Sequence, residues 1–308
     1  MFFYQAYGLN IRSDFSLPEL IEGGTGEDLY IQQEKFIPPS DFKKTSIKRQ
    51  NVEVLFGGNP KEAYLQWPGI ATLLAKDGCN LIVDLDSDVI NPQLLSLYIL
   101  SEALGLILYQ RGFFLLHASA VQIANQVIVF AGVPGAGKST TATAFAKAGY
   151  KVLSDDMVAI SLAETGKPMV YPAFPQLKIW PSAARGLGYD LPSLPRLFSG
   201  SRKRIIRDQN DFPLKPLPLS HIFFLETGRR LRFKLIQDAN AFMLLARFFP
   251  LPGAMLQGKE LEHHFQKSIQ LMNQIELWKI KNPRRFRALK KLVSFVEQEL
   301  GTTTKLLA

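Results

Sequence analysis

The chain has 308 residues, 47% of them hydrophobic and 20% charged, with a formal net charge of +9. This length and balance predict a folded globular protein, and two domains are the natural expectation. The single cysteine, Cys79, excludes an internal disulfide and a cysteine-rich metal site. The positive charge favours an anionic partner, but charge alone does not choose between a nucleotide, an acidic peptide, a nucleic acid and a membrane surface.

Residues 1–90 are predicted to form a small β-rich N-terminal domain. Five segments alternate apolar and polar residues with the period of a strand, and turn signals such as Gly23-Gly24 and Asp77-Gly78 separate them. These segments begin at Phe3, Asp28, Val52, Glu62 and Asn80. No phosphate loop or metal-ligand spacing occurs here, so we expect this sheet to pack against the rest of the chain. A substrate-docking role is the alternative.

A connecting helix is predicted over residues 91–111, with Asn91 as its N-cap and Pro92 in its first turn. Its apolar residues extend most of the way round the helix, which indicates burial. The longest apolar stretch, Leu94–Tyr109, contains serines and a glutamate and is short for a membrane span. The amino terminus has no signal-peptide pattern. We therefore expect a cytoplasmic protein without a membrane span.

Residues 112–308 are predicted to form the larger, α/β domain. Its first strands are predicted at Phe113–Val121, Val127–Ala131 and Lys151–Ser154. Residues 182–217 carry many basic side chains without periodicity, which is typical of a solvated loop or a lid. The other predicted elements are a hairpin of 157–162 with 169–171, strands at 177–180, 217–226, 231–236 and 276–280, and helices at 238–247, 260–274 and 283–300. The helix at 260–274 places Leu261, Phe265, Ile269 and Met272 on one face.

The motif that organises this domain is Gly132–Ser139, which satisfies G-x-x-x-x-G-K-[ST] between a predicted strand and a predicted helix. Its glycines let the backbone approach a phosphate, and the helix N-terminus favours an anion. Lys138 supplies charge for the outer phosphates, and the Ser139 hydroxyl is a Mg²⁺ ligand. The predicted nucleotide-binding residues are Gly132, Val133, Pro134, Gly135, Ala136, Gly137, Lys138, Ser139 and Thr140. The alternative is a tight glycine turn with a solvated lysine.

Two adjacent carboxylates, Asp155 and Asp156, follow the next predicted strand. In a nucleotide site one carboxylate can hold Mg²⁺ while another accepts the proton of an attacking hydroxyl. Two neighbouring negative charges repel each other unless a cation lies nearby, so the pair favours a Mg²⁺ site. The alternative is a solvated turn at the end of a strand.

Three further groups are weaker candidates for chemistry. His117 lies in an apolar segment, where a lone histidine is more often a core residue than a catalyst. His263 and His264 are expected on the surface of a helix, because adjacent positions do not share a helix face. Arg202, Lys203 and Arg204 are candidates to stabilise a phosphoryl group in transfer, with a solvated basic loop as the alternative.

Three segments resemble the HPr kinase/phosphorylase family and its wider relatives, such as lasso-peptide kinases. They are His117-Ala-Ser-Ala-Val, the glycine motif continuing through Thr140, and Leu153-Ser-Asp-Asp-Met-Val. The resemblance implies an HPr kinase and phosphoenolpyruvate carboxykinase-like P-loop domain, joined to the smaller β-rich N-terminal domain. It also implies a kinase that uses ATP and Mg²⁺ to phosphorylate a serine-like hydroxyl.

The resemblance further implies roles for individual residues. His117 would lie near the phosphates, one aspartate would be the base and the other would assist the metal. Together with the glycine motif and the basic segment, this gives Asp155, Asp156, His117, Lys138 and Arg204 as the predicted catalytic residues and Ser139 and Asp156 as the predicted metal ligands. The predicted partner is a peptide or small protein; a nucleic acid is not expected, because the basic stretches lack interleaved aromatic residues. Assembly into a homo-oligomer is left open.

One departure from the family pattern limits the analogy. HPr kinases carry a Glu-Ile-Arg-Gly signature with a metal-associated glutamate, and the counterpart here is Lys178-Ile-Trp-Pro. HPr itself as the substrate, and phosphorylase activity, are therefore without support. Two other functions remain open: a nucleotide-binding regulatory module without phosphotransfer, and a small-molecule hydroxyl kinase.

Overall fold

The computed structural model describes residues 1–38, 44–49, 52–86, 91–163, 166–236, 240–283 and 285–301. Within these ranges the chain is a mixed α/β protein with two nine-stranded sheets and one two-stranded sheet. The predicted domain limit at residue 90 and the last residues of the predicted second domain, 302–308, lie outside the described residues.

The N-terminal sheet contains the first nine strands, in the order β3-β1-β2-β4-β9-β8-β7-β6-β5. Its strands are β1 Phe2–Ala6, β2 Leu9–Ser13, β3 Ile21–Glu22, β4 Leu29–Gln33, β5 Thr45–Arg49, β6 Val52–Gly58, β7 Glu62–Trp67, β8 Ala71–Lys76 and β9 Asn80–Leu85. The predicted turn at Asp77-Gly78 is confirmed, since both residues have positive φ values of 54° and 70° between β8 and β9. This conformation matches the twist of a tight hairpin.

The predicted connecting helix is confirmed as α1 Pro92–Tyr98, a π-helical turn Ile99–Ala103 and α2 Leu104–Gln110. The Asn91 side chain accepts hydrogen bonds from the Gln93 and Leu94 amides, as expected of an N-cap. By length and composition Pro92–Gln110 is apolar enough to cross a membrane, but 67% of its most apolar window is buried inside the protein. It packs between the N-terminal sheet and β14 (Val158–Ser161) in one shared core.

The second sheet, here called the central sheet, has the order β10-β14-β15-β18-β12-β11-β13, with β20 beside β18 and β19 beside β20. Its remaining strands are β10 Phe114–Leu116, β11 Ala118–Ile123, β12 Gln126–Ala131, β13 Lys151–Ser154, β15 Met169–Tyr171, β18 Leu217–Thr227, β19 Arg232–Leu235 and β20 Glu276–Asn282. Strands β12, β18 and β20 are parallel, so their carboxyl ends meet at one edge. We call this the carboxyl edge and the opposite one the amino edge.

Helices cover both faces of the central sheet, as in other layered α/β proteins. The helices are α3 Lys138–Lys147, α4 Pro181–Gly186, α5 Asn240–Arg247, α6 Lys259–Met272 and α7 Phe286–Glu299, with a 3-10 turn at Gly253–Met255. Side chains alternate along β12, so Val127 and Val129 pack beneath α5 and α6 while Ile128 and Phe130 pack beneath α3 and α7. The predicted helix start at residues 238–239 lies outside the described residues.

Two predictions about the strands and loops of this half of the chain are wrong. The segment Phe113–Val121 is not one strand, because β10 ends at Leu116 and β11 begins at Ala118. Residues 182–217 are not wholly irregular, since they contain most of α4 and the strand β17 Arg204–Arg207, which pairs with β16 Gln176–Ile179.

The expected apolar face of α6 is also incorrect. Leu261, Phe265 and Ile269 are 43%, 44% and 41% exposed. His264, expected on the surface, is only 5% exposed and stacks on Phe114 at a ring separation of 4.7 Å. Aromatic packing against β10, rather than the apolar stripe itself, determines which side of α6 faces the core.

Candidate active site

A glycine loop, residues Gly132–Ser139, connects β12 to α3 at the carboxyl edge. Gly137 caps α3 in the left-handed region at φ 100°, which favours glycine. A Cβ atom at Gly132 would lie 2.9 Å from the Leu225 carbonyl oxygen of the neighbouring strand, so the loop packs tightly against β18. The first amides of α3 point out of the helix N-terminus, which is a suitable environment for an anion.

Lys138 is a buried cation in this loop. Its side-chain nitrogen donates a hydrogen bond to the Gly132 carbonyl at 2.8 Å, and the residue is 7% exposed. Within the described residues no carboxylate lies within ion-pair distance of it, and burial lowers the pKa of its ammonium. A buried ammonium that lies near the aspartate pair but makes no direct ion pair fits an incoming phosphate group.

Asp155 is held by three hydrogen-bond donors. The hydroxyls of Ser119 and Ser139 donate to one carboxylate oxygen at 2.7 and 2.9 Å, and the Lys178 amide donates to the other at 3.0 Å. Burial, together with the charge of Asp156, raises the pKa of Asp155. The carboxylate therefore fixes the orientation of the Ser139 hydroxyl in the glycine loop.

Asp156 has a different environment, although it is the next residue. Its backbone is left-handed, with φ 72°, and its carboxylate lies 2.8 Å from the Lys178 ammonium. Burial alone would raise the pKa of Asp156, but the positive charge of Lys178 overcomes this and holds the pKa well below its usual range. The side chain is 35% exposed. Asp156 is therefore an ionised carboxylate that a ligand can reach.

His117 occupies the break between β10 and β11. Its Nδ1 lies 2.8 Å from the Asp156 carbonyl, so Nδ1 donates to that oxygen and Nε2 is left as the acceptor. Its amide donates to the Phe248 carbonyl, which fixes the break. Burial, followed by the charge of Lys138, lowers the pKa of His117, so the ring is neutral at neutral pH. The histidine supports the turn that carries Asp156.

The basic segment contributes Lys203 rather than Arg204. Burial raises the pKa of Asp156, whereas the charges of Lys178 and Lys203 lower it, which places Lys203 near the aspartate pair. Arg204 pairs with Ile179 across the two-stranded sheet, and its guanidinium donates to the Leu194 carbonyl at 3.0 Å. Because neighbouring strand residues face opposite sides, Arg204 is turned away from the face that carries Lys203. The structure does not bring Arg204 to the aspartate pair.

The site offers few side-chain donors for Mg²⁺. No group of three or more His, Cys, Asp or Glu side chains is close enough to hold a metal among the residues that the structure describes. Mg²⁺ in nucleotide sites needs few protein ligands, because waters and phosphate oxygens complete its shell. Ser139 lies beside Asp155, not beside Asp156 as expected, so the donor set that fits the metal is Ser139 with Asp155.

Comparison with known proteins gives distant similarity to solved structures. Among solved structures, the chain is similar to the HPr(Ser) kinase/phosphatase from Coxiella burnetii, with a TM-score of 0.33 and 11% sequence identity. The match covers 61% of this chain and 97% of that one. No family model matches the sequence, and no curated protein matches it.

Two residues of the site, Ser119 and Lys178, were not predicted as functional. Ser119 follows His117 by two positions, and in extended backbone residues two apart have their side chains on the same side of the strand. This spacing could have indicated that Ser119 belongs to the site. Lys178 was identified only as the residue at the glutamate position of the family signature. Its contact with Asp156 depends on how β16 packs beside β13, which the sequence pattern does not specify.

A wide cleft of about 750 Å³ lies elsewhere, at the amino edge of the central sheet. It is lined by the starts of β12, β18 and β20 and includes Lys167, His221 and Glu276. The His221 ring and the Glu276 carboxylate are 3.6 Å apart. The cleft is formed by neither the glycine loop nor the aspartate pair.

Proposed function

We propose that this protein is a Mg²⁺-dependent kinase that transfers the γ-phosphoryl group of ATP to a serine-like hydroxyl of a peptide or small protein. One observation carries the proposal: two consecutive aspartates have separate roles. Asp155 is locked to the serine of the glycine loop, whereas Asp156 is ionised and accessible. Phosphoryl transfer requires these two functions side by side, one carboxylate for the metal and one for the acceptor.

The nucleotide half of the site would be formed by the glycine loop and the start of α3. Their amides would bind the phosphates, and the Lys138 ammonium would move from the Gly132 carbonyl to a phosphate oxygen. Ser139 and Asp155 would hold the metal. Mg²⁺ in such a site neutralises charge that develops on the transferred group.

Asp156 is the proposed base. As the acceptor oxygen forms its bond to the γ-phosphorus, the bond from that phosphorus to the bridging oxygen of ADP breaks, and the hydroxyl proton passes to Asp156. A carboxylate of low basicity suffices, because the transition state of phosphoryl transfer is loose and the proton moves late. Accessibility decides between the two aspartates: Asp155 is buried, with 7% of the whole residue exposed, whereas 35% of the Asp156 side chain is exposed.

His117 is proposed as a positioning residue. It holds the left-handed turn through its hydrogen bond to the Asp156 carbonyl. This role requires the neutral ring with a proton on Nδ1, which its surroundings favour.

The test is transfer of labelled γ-phosphate from Mg²⁺-ATP to serine peptides, with the wild type beside Asp156→Asn and Asp155→Asn. We expect Asp156→Asn to lose about 10²–10⁴-fold in transfer rate while nucleotide affinity is retained, which is the usual effect of removing a general base. Asp155→Asn should instead require a higher Mg²⁺ concentration. Undiminished transfer by Asp156→Asn would contradict the proposal.

A second candidate function has one observation in its favour. The Asp156 carboxylate is paired with Lys178 at 2.8 Å, and this pairing would suit a nucleotide-binding module that never transfers phosphate. Tight ATP binding with slow hydrolysis, and no labelled product with peptide or small-molecule hydroxyls, would favour that function. A cytoplasmic location and a peptide acceptor remain proposals that accompany the kinase function.

A further inference from the structure

The two-stranded sheet of β16 and β17 presents one face to the proposed base. Lys178 and Trp180 are two residues apart in extended backbone, so their side chains lie on the same side, roughly 7 Å along the strand. Lys178 contacts Asp156 from this side. Trp180 therefore lies next to the position that an acceptor hydroxyl would occupy.

Lys203 belongs to the same face. The register pairs Ile179 with Arg204, which sets Trp180 opposite Lys203 at the end of the sheet. The Lys203 ammonium lies 5.5 Å from the centre of the Trp180 ring, within the range of a cation–π interaction. The charge of Lys203 also acts on Asp156. The pair forms a wall beside the aspartates.

Trp180 is not explained by folding. It is 51% exposed, so it contributes little to the core. It is the residue that precedes α4, a position where Ser, Thr, Asp or Asn would cap the helix, and its side chain makes no cap hydrogen bond. An exposed tryptophan beside a cation has the composition of a binding hot spot.

The surrounding charge has one sign. Residues 181–207 contain six basic side chains and one acidic side chain, so this segment of 27 residues carries more than half of the net charge of +9. Part of this charge is used internally: Arg207 pairs with Glu19, and Arg196 and Arg204 donate to backbone carbonyls. Among the described contacts, Lys203 has the Trp180 ring as its partner and no carboxylate.

We propose that Trp180 and Lys203 form the acceptor-binding wall of this kinase, and that the acceptor is an acidic peptide segment with an aromatic or large apolar residue close to the phosphorylated serine. The apolar side chain packs on the Trp180 ring, and an acidic side chain pairs with Lys203. The hydroxyl is thereby presented to Asp156. The inference rests on the proposed function and adds its substrate class.

The experiment uses the full chain and two synthetic serine peptides. One peptide has phenylalanine beside the serine and flanking aspartates, and its partner has alanine and asparagine at those positions. We expect the wild type to have an about tenfold or larger advantage in kcat/KM for the acidic peptide, the size of one or two good contacts. Trp180→Ala should raise KM for that peptide about tenfold and leave KM for ATP within about twofold. Lys203→Gln should remove most of the preference for acidic residues.

Matched controls are available on other surfaces. Phe3→Ala removes an aromatic ring that is 46% exposed in the N-terminal sheet, and Lys167→Ala removes an exposed positive charge at the amino edge. Neither control should change KM for either peptide. Thermal unfolding of each variant reports whether the chain remains folded.

Binding can be measured without catalysis. Trp180 is far more exposed than the buried Trp67, and Trp278 is half-buried, so acrylamide quenching in the presence of ADP is compared between the wild type and Trp180→Phe to isolate the signal of the Trp180 ring. The acidic peptide should protect the ring, and Trp180→Phe should remove the protected signal. An ATP affinity that falls in Trp180→Ala would overturn the inference, because the ring would then stack on the adenine base.

The two proposals fail differently. If both peptides are phosphorylated equally and Trp180→Ala has no effect, the acceptor wall is wrong and the kinase function stands. If no peptide is phosphorylated while ATP binds tightly, and the peptides give no quenching protection, the proposed function and the wall are both wrong.

Discussion

The two edges of the central sheet differ in how their charges are compensated. At the amino edge there is a wide cleft, and its histidine and glutamate, His221 and Glu276, lie close enough to interact with one another. At the carboxyl edge Lys138 is buried without a carboxylate within ion-pair distance, and Asp156 stays partly exposed although it pairs with Lys178. Buried, closely spaced charge of this kind is costly to maintain in a fold, so it identifies the functional edge better than the volume of a cleft does.

The first and largest effect in this comparison of the two edges is expected at Lys138. Lys138→Ala removes the buried cation of the glycine loop, and we expect phosphoryl transfer to fall by about 10²–10³-fold, as for loss of one preorganised charge contact to a transition state. Nucleotide affinity should fall as well, because ground-state phosphates also contact this group. Lys167→Ala at the amino edge removes the same charge and should leave the rate unchanged. Equal losses in the two variants would contradict the assignment.

A second prediction concerns how the stability of the fold depends on pH, which must be known before activities at different pH values are compared. His264 is buried against aromatic rings, and burial, followed by the charge of Lys267, lowers its pKa to about 4 from 6.5. The folded protein therefore binds this proton less readily than the unfolded chain. The stabilisation is complete above pH 6.5 and is lost as the pH falls towards 4, by up to about 3 kcal/mol. Denaturant unfolding at several pH values measures this loss.

Replacing His264 gives the matching control for that pH dependence. His264→Phe keeps an aromatic ring and should remove most of the loss between pH 6.5 and 4. His263→Gln, at the adjacent exposed position, should retain it. In the His264→Phe background the protein should stay folded at lower pH, so the effects of Lys138→Ala and Lys167→Ala on phosphoryl transfer can be compared there. An unchanged pH dependence in His264→Phe would show that another buried group is responsible.

A third, smaller effect concerns the packing of the glycine loop. In Gly132→Ala the new methyl would lie 2.9 Å from the Leu225 carbonyl oxygen, so backbone must shift. We expect the free energy of unfolding to fall by about 1–3 kcal/mol, the range for overpacking, with weaker nucleotide binding. Gly253→Ala is the matched control, since no atom lies within 4 Å of its added methyl. Chemical denaturation with nucleotide titration distinguishes the two variants.

The smallest expected effect is at the amino edge itself. His221→Ala removes the histidine of the wide cleft and should change phosphoryl transfer by less than about twofold, because the cleft is at the opposite end of the parallel strands. A loss comparable to that of Lys138→Ala would mean that the cleft contributes to the reaction.

The features that could be predicted from the sequence are formed by residues close to one another along the chain. The strand, loop and helix around Gly132–Ser139 depend on a few consecutive residues, and the hairpin of β14 and β15 depends on alternation around one turn. The cap at Asn91 is likewise a contact within four residues. Such features are determined by short-range backbone preferences, and these operate before any tertiary contact forms.

The parts that could not be predicted depend on distant pairing. Lys178 reaches Asp156 because β16 lies beside the aspartate turn, and Lys203 reaches Trp180 because β17 pairs with β16 after a connection of more than twenty residues. The prediction of which side of α6 is buried was wrong for a similar reason: His264 stacks on Phe114 of β10, a contact that helical periodicity does not show. Periodicity identifies amphipathic elements, but tertiary packing determines which face is buried.

The left-handed backbone at Asp156 limits how this protein can diverge. At φ 72° aspartate and asparagine are the side chains best tolerated, so the position resists most replacements. A single base change converts an aspartate codon into an asparagine codon, and asparagine would keep the turn while losing the proton acceptor. Under the proposed function, a gene duplicate of this chain is one such step from a well-folded descendant that binds nucleotide and no longer phosphorylates anything.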